Sequence, residues 1–161
     1  MAAVRIGNLL EVRKYNDKKD EWVTDLRFQN TNNDGTVGYE GKSWKFLPFI
    51  YQGATRSRTG NNIEAGLILS TNPISMAYAQ RVVELKLKVV IYTCVMNAEF
   101  NLVDQLISKD NWSGTSMTYD TEAIEVSLAS RVDAITFGIP NIYLKKAIVG
   151  NLPTTANLTA R

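Results

Sequence analysis

Leu85-Lys86-Leu87-Lys88-Val89-Val90-Ile91-Tyr92-Thr93-Cys94-Val95-Met96 is the stretch that decides the fold class. Leu85, Leu87, Val89 and Ile91 recur at every second position, the period of a strand rather than a helix. The alternate set opens with Lys86 and Lys88 and turns apolar at Val90, Tyr92 and Met96. A strand apolar on both faces is covered on both sides, often by a neighbouring chain, and that cover is the expectation here.

Working outward, Asn72-Pro73 marks a helix start, because Asn caps a helix and Pro fits its first position. The spacing of Ile74, Ala77, Tyr78 and Val82 predicts a helix running to about Val83. Upstream, Leu9–Tyr15, with Leu10 and Val12, precedes the polar turn 16–20. Trp22, Thr24, Leu26 and Phe28 then alternate with Val23, Asp25 and Arg27, which predicts a hairpin. Asn30–Gly35 reads as a loop. Val37-Gly38-Tyr39 and Trp44-Lys45-Phe46 flank a tight turn, and Pro48 marks the next segment as an edge or a change of direction. Ile50–Arg58 and Ile63–Ser70 flank Thr59-Gly60-Asn61-Asn62, a third hairpin signal.

Downstream, Phe100, Leu102, Val103, Leu106 and Ile107 fit a short helix or an irregular strand equally well. Trp112-Ser113-Gly114 reads as a turn and Met117–Ser130 as one long strand. A bend at Ile139-Pro140 and a short strand Tyr143–Val149 follow. The reading is a mainly β chain: a single-domain β-barrel or sandwich over 1–149, with one or two short helices and a polar C-terminal arm at 150–161. Its 161 residues suffice to bury roughly 70% of the unfolded surface.

Composition narrows the chemistry. The sequence contains no histidine, which excludes Ser-His-Asp and Cys-His pairs and His-ligated metals within the chain. The single Cys94 excludes an internal disulfide, and burial as a small hydrophobe is its ordinary role. Neither GxGxxG nor GxxxxGK[ST] occurs. Eighteen basic against sixteen acidic residues leave a net charge of +2, too small for a strong pull on nucleic acid. The first residues lack the apolar run of a signal peptide, and Val89–Met96 is too short to span a bilayer, so a soluble, non-secreted protein is expected. Neither a cofactor nor enzymatic activity is expected.

Three segments in order resemble a known family. They are Tyr39-Glu40-Gly41-Lys42-Ser43-Trp44-Lys45-Phe46-Leu47-Pro48-Phe49-Ile50, then Gly66-Leu67-Ile68-Leu69-Ser70-Thr71-Asn72, then Ile124-Glu125-Val126-Ser127-Leu128-Ala129-Ser130 with Ile139-Pro140 after it. This order, with the strand 86–96 between the last two, is similar to the tail-tip hub family of tailed phages, the minor tail protein L family of lambda-like phages. The likeness covers roughly Leu9 to Val149. Members of that family carry a Cys-rich C-terminal region suited to an iron–sulfur cluster. A chain with one cysteine matches only the hub part, and no cluster is carried over. The resemblance implies a structural adaptor of a phage tail tip or baseplate, threefold and homotrimeric, closing the distal tail tube. Its implied partners are the tube or distal tail protein, hub or fibre proteins and the tape measure, with no membrane and no specific nucleic acid. Its implied place is the virion tail, after assembly in the host cytoplasm.

Candidate interface residues are Trp44, Phe46, Phe49, Tyr51, Arg56, Arg58 and Tyr92, with Trp44 foremost, since Trp and Tyr are enriched at subunit contacts. Core packing is the simpler role for Trp22, Trp44 and Trp112. An alternative is an OB-like barrel gripping single-stranded nucleic acid through Tyr51, Arg56, Arg58, Lys86, Lys88 and Tyr92. The weakest alternative is a hydrolase built on two of Asp104, Asp110, Asp120, Glu122, Glu125 and Asp133. Arg81 and the basic residues named above more simply form a solvated face.

Overall fold

The computed structural model describes residues 3–56 and 63–130, with the backbone alone at 54–56 and 63. Nine strands and one helix follow in chain order: β1 (Ile6–Asn16), β2 (Glu21–Gln29), β3 (Thr36–Tyr39), β4 (Lys42–Phe46), β5 (Phe49–Arg56), β6 (Ile63–Ser70), α1 (Pro73–Glu84), β7 (Lys88–Met96), β8 (Val103–Tyr119) and β9 (Ala123–Ala129). The strands form one sheet in the order β3-β4-β2-β1-β7-β8-β9-β6-β5. The mainly β architecture expected from the sequence is what the chain adopts.

Local chemistry sets the turns. Glu40 and Gly41 both hold positive φ (50° and 69°), the pair of angles a two-residue hairpin between β3 and β4 needs. Between β1 and β2, Lys19 N–H bonds Asn16 O and Asp20 sits at φ 54°. The helix starts where Asn72-Pro73 predicted, with Asn72 Oδ1 accepting from Ser75 N–H at 2.8 Å. It ends at Glu84, and Leu85, exposed, forms its C-cap rather than starting the next strand.

The sheet encloses two cores on opposite faces. On one face, Leu10, Val12, Phe28, Leu67, Leu69, Val89, Ile91, Trp112, Ile124, Val126 and Leu128 form an almost wholly aliphatic core. The α1 residues Ala79 and Val82 roof it, and Arg81 ties the helix to Asp25 of β2 at 2.8 Å. On the other face, Leu9, Val37, Trp44, Val90, Tyr92, Cys94 and Met96 form a smaller core. There β3 curls round until Gly38 N–H bonds Asn101 O at 2.8 Å, just ahead of β8. Central strands β1 and β7 thus line both cores. The two apolar faces of β7 are real, but this chain's own strands cover them, so no neighbouring chain is needed.

The stretch 112–130 departs from expectation. Trp112-Ser113-Gly114 is no turn: it lies inside β8, whose first part pairs with β7 and whose last part pairs with β9. The glycine is there for close approach, since a Cβ at Gly114 would stand 2.7 Å from Val82 Cγ1 and 3.2 Å from Val82 O. The single strand expected over 117–130 is broken by a turn at Asp120, whose carboxylate accepts from Glu122 N–H (2.7 Å) and Ala123 N–H (2.8 Å). Phe100, at φ 55°, closes the preceding turn, and from Val103 the chain is strand, which resolves the open choice there. Pro48 does precede an edge, because β5 ends the sheet. The turn 59–62, the bend at Ile139-Pro140, the strand 143–149 and the arm 150–161 lie outside the described residues.

Candidate interaction surface

The residues nominated from sequence divide by burial. Trp44 (2% exposed), Phe49 (5%) and Tyr92 (5%) are interior, so the folded chain does not present them as a contact surface. The simpler core role holds for them and for Trp112; Trp22 is half-buried. Phe46 is half-buried at the end of β4, and Tyr51 is half-buried on the edge strand β5. Arg56 ends β5 with its side chain undescribed, and Arg58 lies outside the described residues.

Trp44 belongs to an aromatic trio. Its ring centroid lies 5.7 Å from Tyr92 at 75°, and Tyr39 lies 5.8 Å from Tyr92 at 64°, the edge-to-face contacts aromatic quadrupoles favour. Trp44 Nε1 is buried without a hydrogen-bond partner among the described residues. Tyr92 then leads to a buried carboxylate that sequence reasoning missed. Glu11, 1% exposed, receives hydrogen bonds from Tyr92 Oη (2.8 Å), Arg13 Nη2 (2.8 Å) and Thr24 Oγ1, and Arg27 Nε stands 3.8 Å away. Register explains the cluster: Glu11 lies opposite Arg27 and Arg13 opposite Thr24 across β1 and β2. Burial pushes the Glu11 carboxyl up, but the donors from Arg13, Thr24 and Tyr92 and the Arg13 charge outweigh it, holding it below its ordinary value. The only sequence signal was an acidic residue within the apolar run Leu9–Val12. Burial, then the Glu11 hydrogen bond, pushes Tyr92 up to about 12.

Tyr51 anchors the far end of the sheet. Its hydroxyl accepts from Trp112 Nε1 at 3.0 Å and donates to Asp110 Oδ2 at 3.3 Å, so β5 reaches β8 across the aliphatic core. Burial and the Asp110 charge push this phenol up to about 12. Tyr51 and Tyr92 therefore lie on opposite faces of the sheet: Asp110 pairs with Ile91 of one face, and Lys109 pairs with Tyr92 of the other, its Nζ 5.2 Å from the ring. Arg81 is bound to Asp25. Among the described residues, therefore, Tyr51 and Tyr92 do not share the single stacking surface that the OB-like alternative expects.

Among the described residues two of the acids share a hollow: Asp120 and Glu125 line an open groove of about 230 Å³ with Ile68, Thr118, Tyr119 and Ala123, but it is shallow and the Asp120 carboxylate already accepts from two backbone N–H groups. Asp110 is engaged by Tyr51, Asp120 holds its turn, and Asp104, Glu122 and Glu125 are exposed on separate parts of β8, the following turn and β9. Asp133 lies outside the described residues. The cavity inside the aliphatic core holds only about 20 Å³, room for about one water. A shallow groove of about 450 Å³ runs between α1 and β8, lined by Met76, Gln80, Val83, Glu84, Met117 and Tyr119. Cys94 is fully buried, and desolvation pushes its thiol up to about 11.

Exposed apolar residues include Leu102 just before β8 and Leu106 and Ile107 within it, at 39–54% exposure, and Val4 and Ile6 just before and at the start of β1. No helix among the described residues is long and apolar enough to cross a membrane.

No family model and no curated protein matches the sequence, so the likeness to minor tail protein L has no family match behind it. A solved chain with the same fold comes from a particle described as the virion of a native gene transfer agent. It superposes with a TM-score of 0.55 over 89% of this chain and 45% of that one, at 9% identity. This chain therefore spans less than half the length of that one, and the likeness establishes a shared fold.

Proposed function

We propose that the protein is a structural component of a phage-like virion, acting by shape and association rather than by catalysis. The observation that carries this reading is the fold it shares, over 89% of its length, with a chain of a gene transfer agent virion. The ordered segments 39–50, 66–72 and 124–130 point the same way. Within that role the finer reading is a hub-type adaptor of the tail tip or baseplate, a homotrimer closing the distal tube and joining it to tip or fibre proteins. Partners of that kind are the tube or distal tail protein and the tape measure, and the place is the virion tail after assembly in the host cytoplasm. Absence of histidine and the small interior cavity support a role without turnover.

Immunogold labelling of purified particles tests both levels. Label at the distal tail is the expected result; label on the capsid, or none on intact particles, overturns the adaptor reading. Native mass spectrometry with the tail partners is expected to give a ring of three copies, and a monomer alone removes the trimer.

A further inference from the structure

We propose that the protein binds a second copy of itself through opposite charges: the acidic turn between β8 and β9 of one copy, carrying Glu122 and Glu125, docks on a basic patch formed by Arg13, Arg27 and Lys109 of the next. The proposal does not rest on the virion reading.

Cross-strand register gathers the patch on the face of the smaller core. Arg27 of β2 lies opposite Glu11, Arg13 follows two residues along β1, and Lys109 of β8 lies opposite Tyr92. Three cations thus share this face with one carboxylate, a surplus of two that equals the net charge of the whole chain. Glu11 takes up Arg13 at 2.8 Å and stands 3.8 Å from Arg27. The Nε atoms of Arg13 and Arg27 are buried without a hydrogen-bond partner among the described residues. Lys109 is exposed over the Tyr92 ring. A second carboxylate brought to this patch neutralises charge that Glu11 leaves over.

The complementary charge is on the chain itself. Between positions 97 and 130 stand six acidic residues and one basic residue, Lys109. Three of the acids cluster at the end of β8. Asp120 uses its carboxylate on the Glu122 and Ala123 N–H groups, which fixes the turn. Glu122 and Glu125 are exposed and enter no ion pair among the described residues. Tyr119 beside them is 67% exposed and adds apolar contact, which matters because surface ion pairs alone contribute little. Lys109 and Tyr119 are separated by roughly 30 Å of one strand, so patch and turn cannot meet within a copy. A contact between two unlike surfaces runs head to tail, closing into a ring or continuing as a stack.

Sedimentation velocity of the full chain tests this. Self-association is expected at low salt and is expected to weaken as salt screens the contact. Lys109→Glu, and Glu122→Lys together with Glu125→Lys, are each expected to weaken it at least about tenfold. Mixing these two variants is expected to restore pairing, because the intact turn of the first meets the intact patch of the second. Circular dichroism and urea midpoints establish that each variant folds, and Lys109→Gln, which removes the charge without reversing it, is expected to give a smaller loss. A monomer at every salt concentration, or association unchanged by both reversals, would overturn the proposal. Loss on reversing Lys109 but not the glutamates would overturn it in favour of a different acidic occupant of the patch.

Discussion

The two cores of this sheet are built on different principles although they share β1 and β7. One is mainly aliphatic and roofed by a helix: Leu67, Val89, Ile91, Ile124, Val126 and Leu128 contribute no polar side-chain atom, and polar contacts enter only at its margin, through Tyr51–Trp112 and Arg81–Asp25. The other is small, closed by a single bridge at Gly38, and built from Tyr39, Trp44 and Tyr92 beside a buried carboxylate. An ionic cluster tolerates little drift, because each donor must keep its distance to Glu11. The aliphatic half supplies bulk stability and the aromatic half fixes which strands meet.

The sharpest way to break the contrast is Trp44→Ala, which empties the smaller core; a loss of about 3–5 kcal/mol in urea unfolding is expected. Trp44→Phe should cost much less, because it also removes the unpartnered Nε1. Leu128→Ala in the aliphatic core is expected to cost about 2–5 kcal/mol. A Leu128→Ala loss larger than that of Trp44→Ala would reverse the ranking. Gly114→Ala should cost about 1–3 kcal/mol through its clash with Val82, and Val82→Ala in the same chain should recover part of it.

Glu11→Gln addresses the ionic half. The Glu11 carboxyl titrates below its ordinary 4.5 in the folded chain, so it contributes stability above that value, lost as pH falls through the folded pKa. The native chain should therefore lose stability below about pH 4.5 more steeply than the Gln variant, read from urea midpoints against pH. Equal slopes would show that the carboxylate is not held as described. At the alkaline end, Tyr51 and Tyr92 titrate at about 12, above the usual 10. Their contribution is whole below pH 10 and disappears as pH rises through about 12, and tyrosinate absorbance should show a late-titrating fraction that shrinks in Tyr51→Phe and in Tyr92→Phe. Asn72→Ala, in the helix that roofs the aliphatic core, is expected to cost about 1 kcal/mol and leave the acid slope unchanged.

Much of this could be read from the chain itself. Glu40-Gly41 and Asn72-Pro73 announced a hairpin and a helix because turns and caps are local chemistry. Alternation along β7 announced two buried faces. What covers those faces depends on how distant strands curl, and no local pattern encodes that. Trp112-Ser113-Gly114 reads as a turn for the same reason: a glycine admitting the side chain of Val82, far back along the chain on α1, looks like one that turns the backbone. The nominated interface failed at Trp44, Phe49 and Tyr92 because an aromatic ring suits an interior and a contact surface equally. Glu11 carries little local signal because, Arg13 apart, its partners sit on β2 and far along on β7.

The strands held in common by the two cores have one more consequence. Neither half has a private foundation, so loosening β1 or β7 removes a wall from both at once. Melting should be a single calorimetric event with no half-formed species at equilibrium. Newly made chains would then divide into fully folded and unstructured ones, with nothing populated between.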